Sequence, residues 1–345
     1  MGTLNESKTV KTLTVIVPAY NSGKTLEKCL DSFYDESILC EVEIIIINDG
    51  STDDTEIVAN KFTDMHPSYR LINKANGGHG SGINVASGYA TGKYIKVVDS
   101  DDWVVNFSDY VKALRDINAD VVLTSFFTVD PDGKHIREYK MDNIEYGREY
   151  NFKDFWKHRK KVQNVCNFHG ITYNTKFYTS LNIQLSEKIS YEDQEYATLP
   201  FAQVKTICPL NLTLYKYRIG DTTQSTSDAN MVKQLGQLEY VFWNVHSYAP
   251  KSMSKASKNY FLFKERNMLL SCYMTAMLKS QDKKNGRVWA KELRKKVKQR
   301  DLPLYRSSSF NYYTCLFLSH MHFDRGWLYK LQRNRMYGML AKLMH

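Results

Sequence analysis

The segment Val42–Asn48 reads Val-Glu-Ile-Ile-Ile-Ile-Asn, and four consecutive isoleucines restrict what can surround it. A strand that is apolar on both faces must be covered on both sides, as an inner strand of a parallel sheet wrapped by helices is. Leu13–Ala19 is a second such run, and further strands are expected at 69–72, 94–99 and 120–127. Helical stretches are expected between them, around 24–34, 54–64, 82–90 and 107–117. This alternation describes an α/β, Rossmann-like fold: a mostly parallel central sheet with helices on both faces. Such sheets bind ligands beyond the carboxyl ends of their strands. Residues 18–21, 48–51 and 99–102 are expected there.

The pattern then changes. Residues 128–165 are polar and poorly periodic and read as loops and short helices, while 170–220 return to strand and helix and end in a strand-like run at 212–217. From about 230 the sequence is helical, with Met, Leu and aromatic residues set among lysines. A Thr/Ser/Asp-rich stretch at 221–230 marks a boundary, giving domains 1–228 and 229–345. Charge divides at the same place. Residues 1–230 hold 25 Lys+Arg against 31 Asp+Glu, and residues 231–345 hold 22 against 6, so −6 and +16 make up the net +10. Such asymmetry points the C-terminal part toward something anionic, or simply toward water. Six cysteines are scattered without a Cys-x-x-Cys pair, as expected of reduced thiols in a cytoplasmic protein. No signal-type apolar stretch opens the chain, and no window is apolar for the roughly 18 residues that a spanning helix needs.

Four clusters carry chemistry. Asp99-Ser100-Asp101-Asp102 places three carboxylates within four residues at a strand end, where they repel one another unless a cation is present. Mg²⁺ and Mn²⁺ favour oxygen ligands and commonly take one or two carboxylates plus substrate phosphates. Strand alternation would turn Asp99 and Asp101 to one side, although Asp101 or Asp102 also suits a helix cap. Asp49 follows the isoleucine strand, with Gly50 allowing a turn and Ser51 or Asp53 starting a helix. Residues 76–82 hold four glycines in seven positions, so that backbone N–H groups can approach a phosphate or sugar, but the spacing fits neither a Walker loop nor the dinucleotide fingerprint. Glu192-Asp193 offers a carboxylate base, or an acidic first helical turn. Arg218 follows a strand and can meet a departing diphosphate. His169 reads as a structural histidine.

Taken in order, these pieces resemble the family-2 glycosyltransferases with a GT-A fold. Val17-Pro18-Ala19-Tyr20-Asn21 is similar to the family's opening strand and Asn48-Asp49-Gly50-Ser51-Thr52-Asp53 to its second-strand signature. Residues 76–84 and 90–94 lead to the Asp-x-Asp motif at 99–102, Glu192-Asp193 matches a later Glu-Asp motif, and Tyr217-Arg218 with Gln224-Ser225 matches a segment near the donor diphosphate. The resemblance spans about 12–228. It implies an inverting transferase that moves a sugar from a UDP-sugar to a hydroxyl of a glycan, lipid-linked glycan or glycoprotein, with Mn²⁺ or Mg²⁺ as cofactor. By the same resemblance, Pro18, Tyr20, Asp49, Asn76 and Gly77 line the nucleoside pocket. Asp99, with Ser100 beside it, holds the ribose or a metal-bound water, and Asp101 ligates the metal. Asp193 is the base with Glu192 beside it, and Arg218 and Ser225 steady the diphosphate. Many relatives carry Ala-Arg-Asn where this chain has Gly82-Ile83-Asn84, which removes an arginine contact but keeps Asn84. His79, within the glycine-rich loop, is a candidate for donor selection.

Beyond the resemblance, residues 327–344 alternate cations with apolar residues at helical spacing. A basic amphipathic helix can lie on an anionic membrane or pack on its own protein. The first option suits peripheral attachment at the inner face of a bacterial plasma membrane during cell-surface polysaccharide synthesis; self-association is a further option. No nucleic-acid-binding module accompanies the charge. A nucleotidyltransferase would carry a cationic glycine-rich loop after the first strand, where this chain has Pro18-Ala19-Tyr20-Asn21. A non-catalytic, membrane-recruited scaffold would not need the intact acidic motifs.

Overall fold

The computed structural model describes residues 11–220, 227–248 and 253–321. Contacts divide the chain into two compact units: the chain up to Gly220 together with Met253–Ser257, and Asp221–Ser252 together with the chain from Lys258.

The first unit is built on one ten-stranded sheet. Its strands are β1 (Leu13–Ala19), β2 (Val42–Asn48), β3 (Tyr69–Asn73), β4 (Tyr94–Val97), β5 (Trp103–Val104), β6 (Val121–Val129), β7 (His135–Tyr139), β8 (Tyr150–Asn151), β9 (Ile171–Asn174) and β10 (Thr206–Arg218). The order is β3-β2-β1-β4-β9-β6-β10-β5, with β7 on β6 and β8 on β10. β3, β2, β1 and β4 run parallel, as do β6 and β10, while β9 and β5 pair antiparallel with their neighbours. The expected mostly parallel sheet is therefore present.

The isoleucines explain the centre of this sheet. Ile44, Ile45, Ile46 and Ile47 are all fully buried, and each contributes roughly 2 kcal/mol of apolar burial. The sheet is covered by helices that join its strands: α1 (Leu26–Asp31), α2 (Thr55–Met65), α3 (His79–Ser87) and α4 (Phe107–Leu114), with α2 and α3 packing directly on β2. Shorter helices follow: α5 (Phe152–Lys157), α6 (Arg159–Val162), α7 (Thr175–Ser180) and α8 (Asp193–Tyr196).

Three expectations need correction. The stretch 128–165 contains the strands β7 and β8 besides helices, and β7 is almost wholly exposed, so it lacks the apolar alternation that marks a half-buried strand. α3 begins at His79 rather than 82, because Gly80 and Gly82 serve close packing and do not break the helix. A Cβ on Gly80 would meet the carbonyl of Ser186. β4 stops at Val97, two residues short of the acids.

The second unit is helical, with α9 (Asp228–Lys233), α10 (Leu235–Ser247), most of α11 (Lys255–Met274), α12 (Lys283–Arg300), α13 (Leu302–Ser307) and α14 (Ser309–His320). Its core includes Val241, Phe242, Leu269, Cys272, Leu293 and Leu304. All six cysteines are free thiols, five of them buried. Among the described residues no helix is long and apolar enough to cross a membrane. Residues 327–344 lie outside the described residues.

Candidate active site

Beyond Val97 the chain turns at once, and the Asp102 N–H donates to the Asp99 carbonyl at 3.0 Å. The acids therefore sit in a turn, as an Asp-Ser-Asp-Asp run favours, and not in the strand alternation or the helix cap that the sequence suggested. This changes which carboxylates meet. Asp99 and Asp102 converge, while Asp101 turns to Arg218, whose Nη2 lies 3.2 Å from its Oδ2. The backbone N–H of Arg218 and the hydroxyl of Tyr215 both donate to the buried Asp102 carboxylate at 2.7 Å, and the same tyrosine oxygen accepts from Asp99 N–H at 3.0 Å. Burial, followed by the neighbouring charges of Asp101 and Asp99, nevertheless holds the Asp102 carboxyl well above the usual carboxylate range.

The third member of this group is His169. Among the described residues, one ligand atom each from Asp99, Asp102 and His169 lie within 4.8 Å of one another. Burial pushes the His169 imidazole down to about 4, so it is neutral and able to offer a lone pair, and its buried Nδ1 lacks a hydrogen-bond partner. The ring stacks on Tyr217 at 4.0 Å. Lys96, fully enclosed on β4, fixes the backbone beneath it by donating to the carbonyls of His169 at 2.6 Å and Ile171 at 3.0 Å. Two carboxylates and a neutral, under-satisfied imidazole are a donor set that suits a divalent cation. No local pattern in the sequence marked His169 for this, since its neighbours come from β4 and β10.

The residues expected to line a nucleoside pocket gather around β1 and β2. Pro18 is buried in β1, where it pairs with Ile47, and Tyr20 just beyond is 53% exposed. Asp49 is only 3% exposed, and its carboxylate accepts from Lys74 Nζ at 2.6 Å, Gly77 N–H at 2.9 Å and Gly78 N–H at 2.7 Å. It thus pins the glycine-rich loop. Asn76 is exposed at the edge of that loop, and Gly78, at φ +85°, allows the loop to approach Lys188, whose N–H donates to the Gly77 carbonyl at 2.7 Å. Ser100 is buried, 2.6 Å from the hydroxyl of Ser22. Ser225 and Gln224 lie outside the described residues.

The later acids come from the other side. Glu192 is buried and accepts from His79 Nδ1 at 2.7 Å, while His79 Nε2 lies 2.9 Å from Asp99. Burial pulls this imidazole's pKa down, but the two carboxylates outweigh it and hold it well above the usual histidine value. Asp193 stands in the first turn of α8, partly exposed, its Oδ2 accepting from Gln194 Nε2 at 2.9 Å. Where relatives were expected to carry an arginine, Ile83 is fully buried, while Asn84 brackets Leu185 by accepting its N–H at 2.9 Å and donating to its carbonyl at 3.0 Å.

This arrangement has known relatives. The family model of glycosyl transferase family 2 matches residues 14–188, just over half of the 345-residue chain. Glycosyltransferase GlyA of Streptococcus pneumoniae is 27% identical over 60% of this chain, which spans 30% of GlyA's own length. The solved structure of S. aureus TarS 1-349 in complex with UDP-GlcNAc superposes with a TM-score of 0.57 at 16% identity, covering 88% of this chain and 92% of that one. Mannosyltransferase PcManGT from Pyrobaculum calidifontis, in complex with GDP-Man and Mn²⁺, gives 0.51 at 15% identity over 90% and 86%. At those identities the two structures speak for the fold, which is the GT-A arrangement. The chain belongs to glycosyl transferase family 2.

Proposed function

We propose that this protein transfers a sugar from a UDP-sugar to a hydroxyl of a glycan, lipid-linked glycan or glycoprotein, with inversion at the anomeric carbon. The observation that carries the reading is the turn Asp99–Asp102, facing His169 and Arg218 past the carboxyl ends of β4 and β10. A nucleotide-sugar donor is supported by TarS with UDP-GlcNAc and by the mannosyltransferase with GDP-Man and Mn²⁺. Asp99, Asp102 and His169 are the residues that would hold a divalent cation, Mn²⁺ or Mg²⁺, with Asp101 next to them. Such a cation would neutralise the negative charge that gathers on a departing diphosphate.

The chain's own groups account for the rest. Asp49 and the loop it pins line the base side with Pro18, Tyr20, Asn76 and Gly77. Asp193, more accessible than Glu192, takes the proton from the acceptor hydroxyl as its oxygen attacks the anomeric carbon. The bond from that carbon to the diphosphate breaks on the opposite face, and the Arg218 guanidinium meets the charge that develops. Glu192 is held by His79 and orients this side of the site. One carboxylate base suffices, and no glycosyl-enzyme bond forms. The basic region 229–345 is read as the part that meets an acceptor, a membrane or another copy of the chain.

A thermal-shift screen over nucleotide sugars with Mn²⁺ tests the reading. A donor present at about 100 times its Kd raises apparent stability by about 2.7 kcal/mol. The reading fails if no UDP-linked sugar moves the transition.

A further inference from the structure

Among the described residues of the helical unit there is an exposed row of large apolar side chains. On α14, Phe310, Tyr313 and Phe317, with Met321 at its C-cap, are spaced by three, four and four residues, which places them on one face. They are 46%, 57%, 61% and 54% exposed. Single exposed apolar residues are ordinary, whereas a continuous row over three helical turns marks a contact surface.

A second row borders the first. Arg287 and Arg294 of α12 anchor α14, donating to Ser319 Oγ at 3.1 Å and Ser309 Oγ at 2.9 Å, and the Arg294 guanidinium also lies 5.0 Å from the Tyr313 ring. The exposed Lys284, Lys291 and Lys298 stand three or four positions from these two arginines, hence on the adjoining side of the helix, and exposed Lys295 continues the same stripe. Within Lys283–Arg300 the sole acid is Glu292.

We propose that this face, the aromatic row of α14 beside the lysine row of α12, docks on an anionic lipid headgroup layer. Charge selects the occupant. A second copy packed two-fold on this face would bring lysine row against lysine row. Residues 322–345 hold five Lys+Arg against one Asp, so this segment would add positive charge instead of balancing it. A flat anionic surface with an apolar layer beneath accepts both rows, the lysines at the phosphates and the aromatics below them. The inference is independent of the sugar-transfer reading, because none of these residues belongs to the candidate active site.

The test is flotation of the full chain with vesicles of phosphatidylcholine, with or without phosphatidylglycerol. The protein should float with the anionic vesicles only, and less so as salt rises. Lys291→Ala with Lys295→Ala should lower partitioning on the order of tenfold or more, and Phe310→Ser with Phe317→Ser should lower it at all salt concentrations. Melting curves and UDP–Mn²⁺ affinity, unchanged in both double variants, show that the fold persists. Absence of flotation by the intact chain overturns the proposal, as does flotation of both double variants at the level of the unchanged chain. A serine variant that changes the molar mass in light scattering but keeps vesicle binding gives the row to a second copy. RNA binding that depends on both rows, without vesicle binding, gives it to nucleic acid.

Discussion

His79 Nδ1 and Glu192 Oε1 stand 2.7 Å apart although 113 residues separate them in the chain. The other imidazole nitrogen reaches Asp99, so one ring ties the acid turn to the segment that carries Asp193. With its pKa held well above the usual value, the ring is an imidazolium that donates from both nitrogens. His79→Ala leaves the buried Glu192 without this cation, and losing one partner of a buried charged pair costs about 3 kcal/mol or more. A clear fall in melting temperature is expected, together with loss of turnover. His79→Gln, which keeps a polar bridge, should recover part of both. A stability equal to wild type in the alanine variant would show that the bridge carries nothing.

The same bridge shows where sequence reading stops. β1 and β2 were legible to the residue because runs such as Ile44 to Ile47 state their burial directly. β4 and α3 were misplaced by two or three residues, since Asp99–Asp102 turns and Gly80 packs for reasons that lie in other segments. The long β10 showed only its last half, the part next to Tyr215 and Arg218. Motif order brought out Asp99, Asp101, Glu192 and Asp193. It gave no sign that Asp102 and His169 converge, because that contact depends on Lys96 fixing the His169 backbone from β4. Local patterns encode burial and turns; pairings between distant segments arise only when the sheet closes.

Tyr215 serves two acids at once, donating to Asp102 and accepting from the Asp99 N–H. Tyr215→Phe keeps the ring but removes both bonds, leaving a buried N–H and a carboxylate oxygen under-satisfied at a cost of roughly 1–3 kcal/mol. Because the lost bonds orient the candidate metal-binding group, Mn²⁺ affinity should fall by about tenfold or more, as with other orienting partners. Titration calorimetry with Mn²⁺ and UDP checks this, and an unchanged Kd would detach Tyr215 from the metal group.

In the helical unit, His246 Nδ1 lies 2.9 Å from Glu265, and this bond raises the histidine pKa despite partial burial. The sign follows from proton linkage. Below the unfolded value of about 6.5 both states are protonated and the pair's stabilisation is complete, and it fades as pH rises through the higher folded value. His246→Gln should therefore melt below wild type at pH 6, with the gap narrowing on the alkaline side. Melting curves across pH 5–9 read this directly; a gap that widens toward alkaline pH would reverse the assignment.

On the proposed mechanism, Asp101 and Asp193 separate donor binding from transfer. Asp101 stands next to the candidate metal-binding group and pairs with Arg218, so Asp101→Ala removes a carboxylate beside that group and loosens the guanidinium proposed to meet the diphosphate. Metal-dependent UDP binding should be lost. Asp193 lies in the first turn of α8, in the segment that His79 ties to the acid turn, and Asp193→Asn preserves its shape while removing the proposed proton acceptor. Donor affinity should stay near wild type while turnover falls by roughly 10²–10⁴, the usual contribution of a general base. Calorimetry with UDP and Mn²⁺ alongside a transfer assay distinguishes the two. If Asp193→Asn turns over normally while Glu192→Gln does not, the base is the buried carboxylate, and His79 then contacts the group that takes the proton.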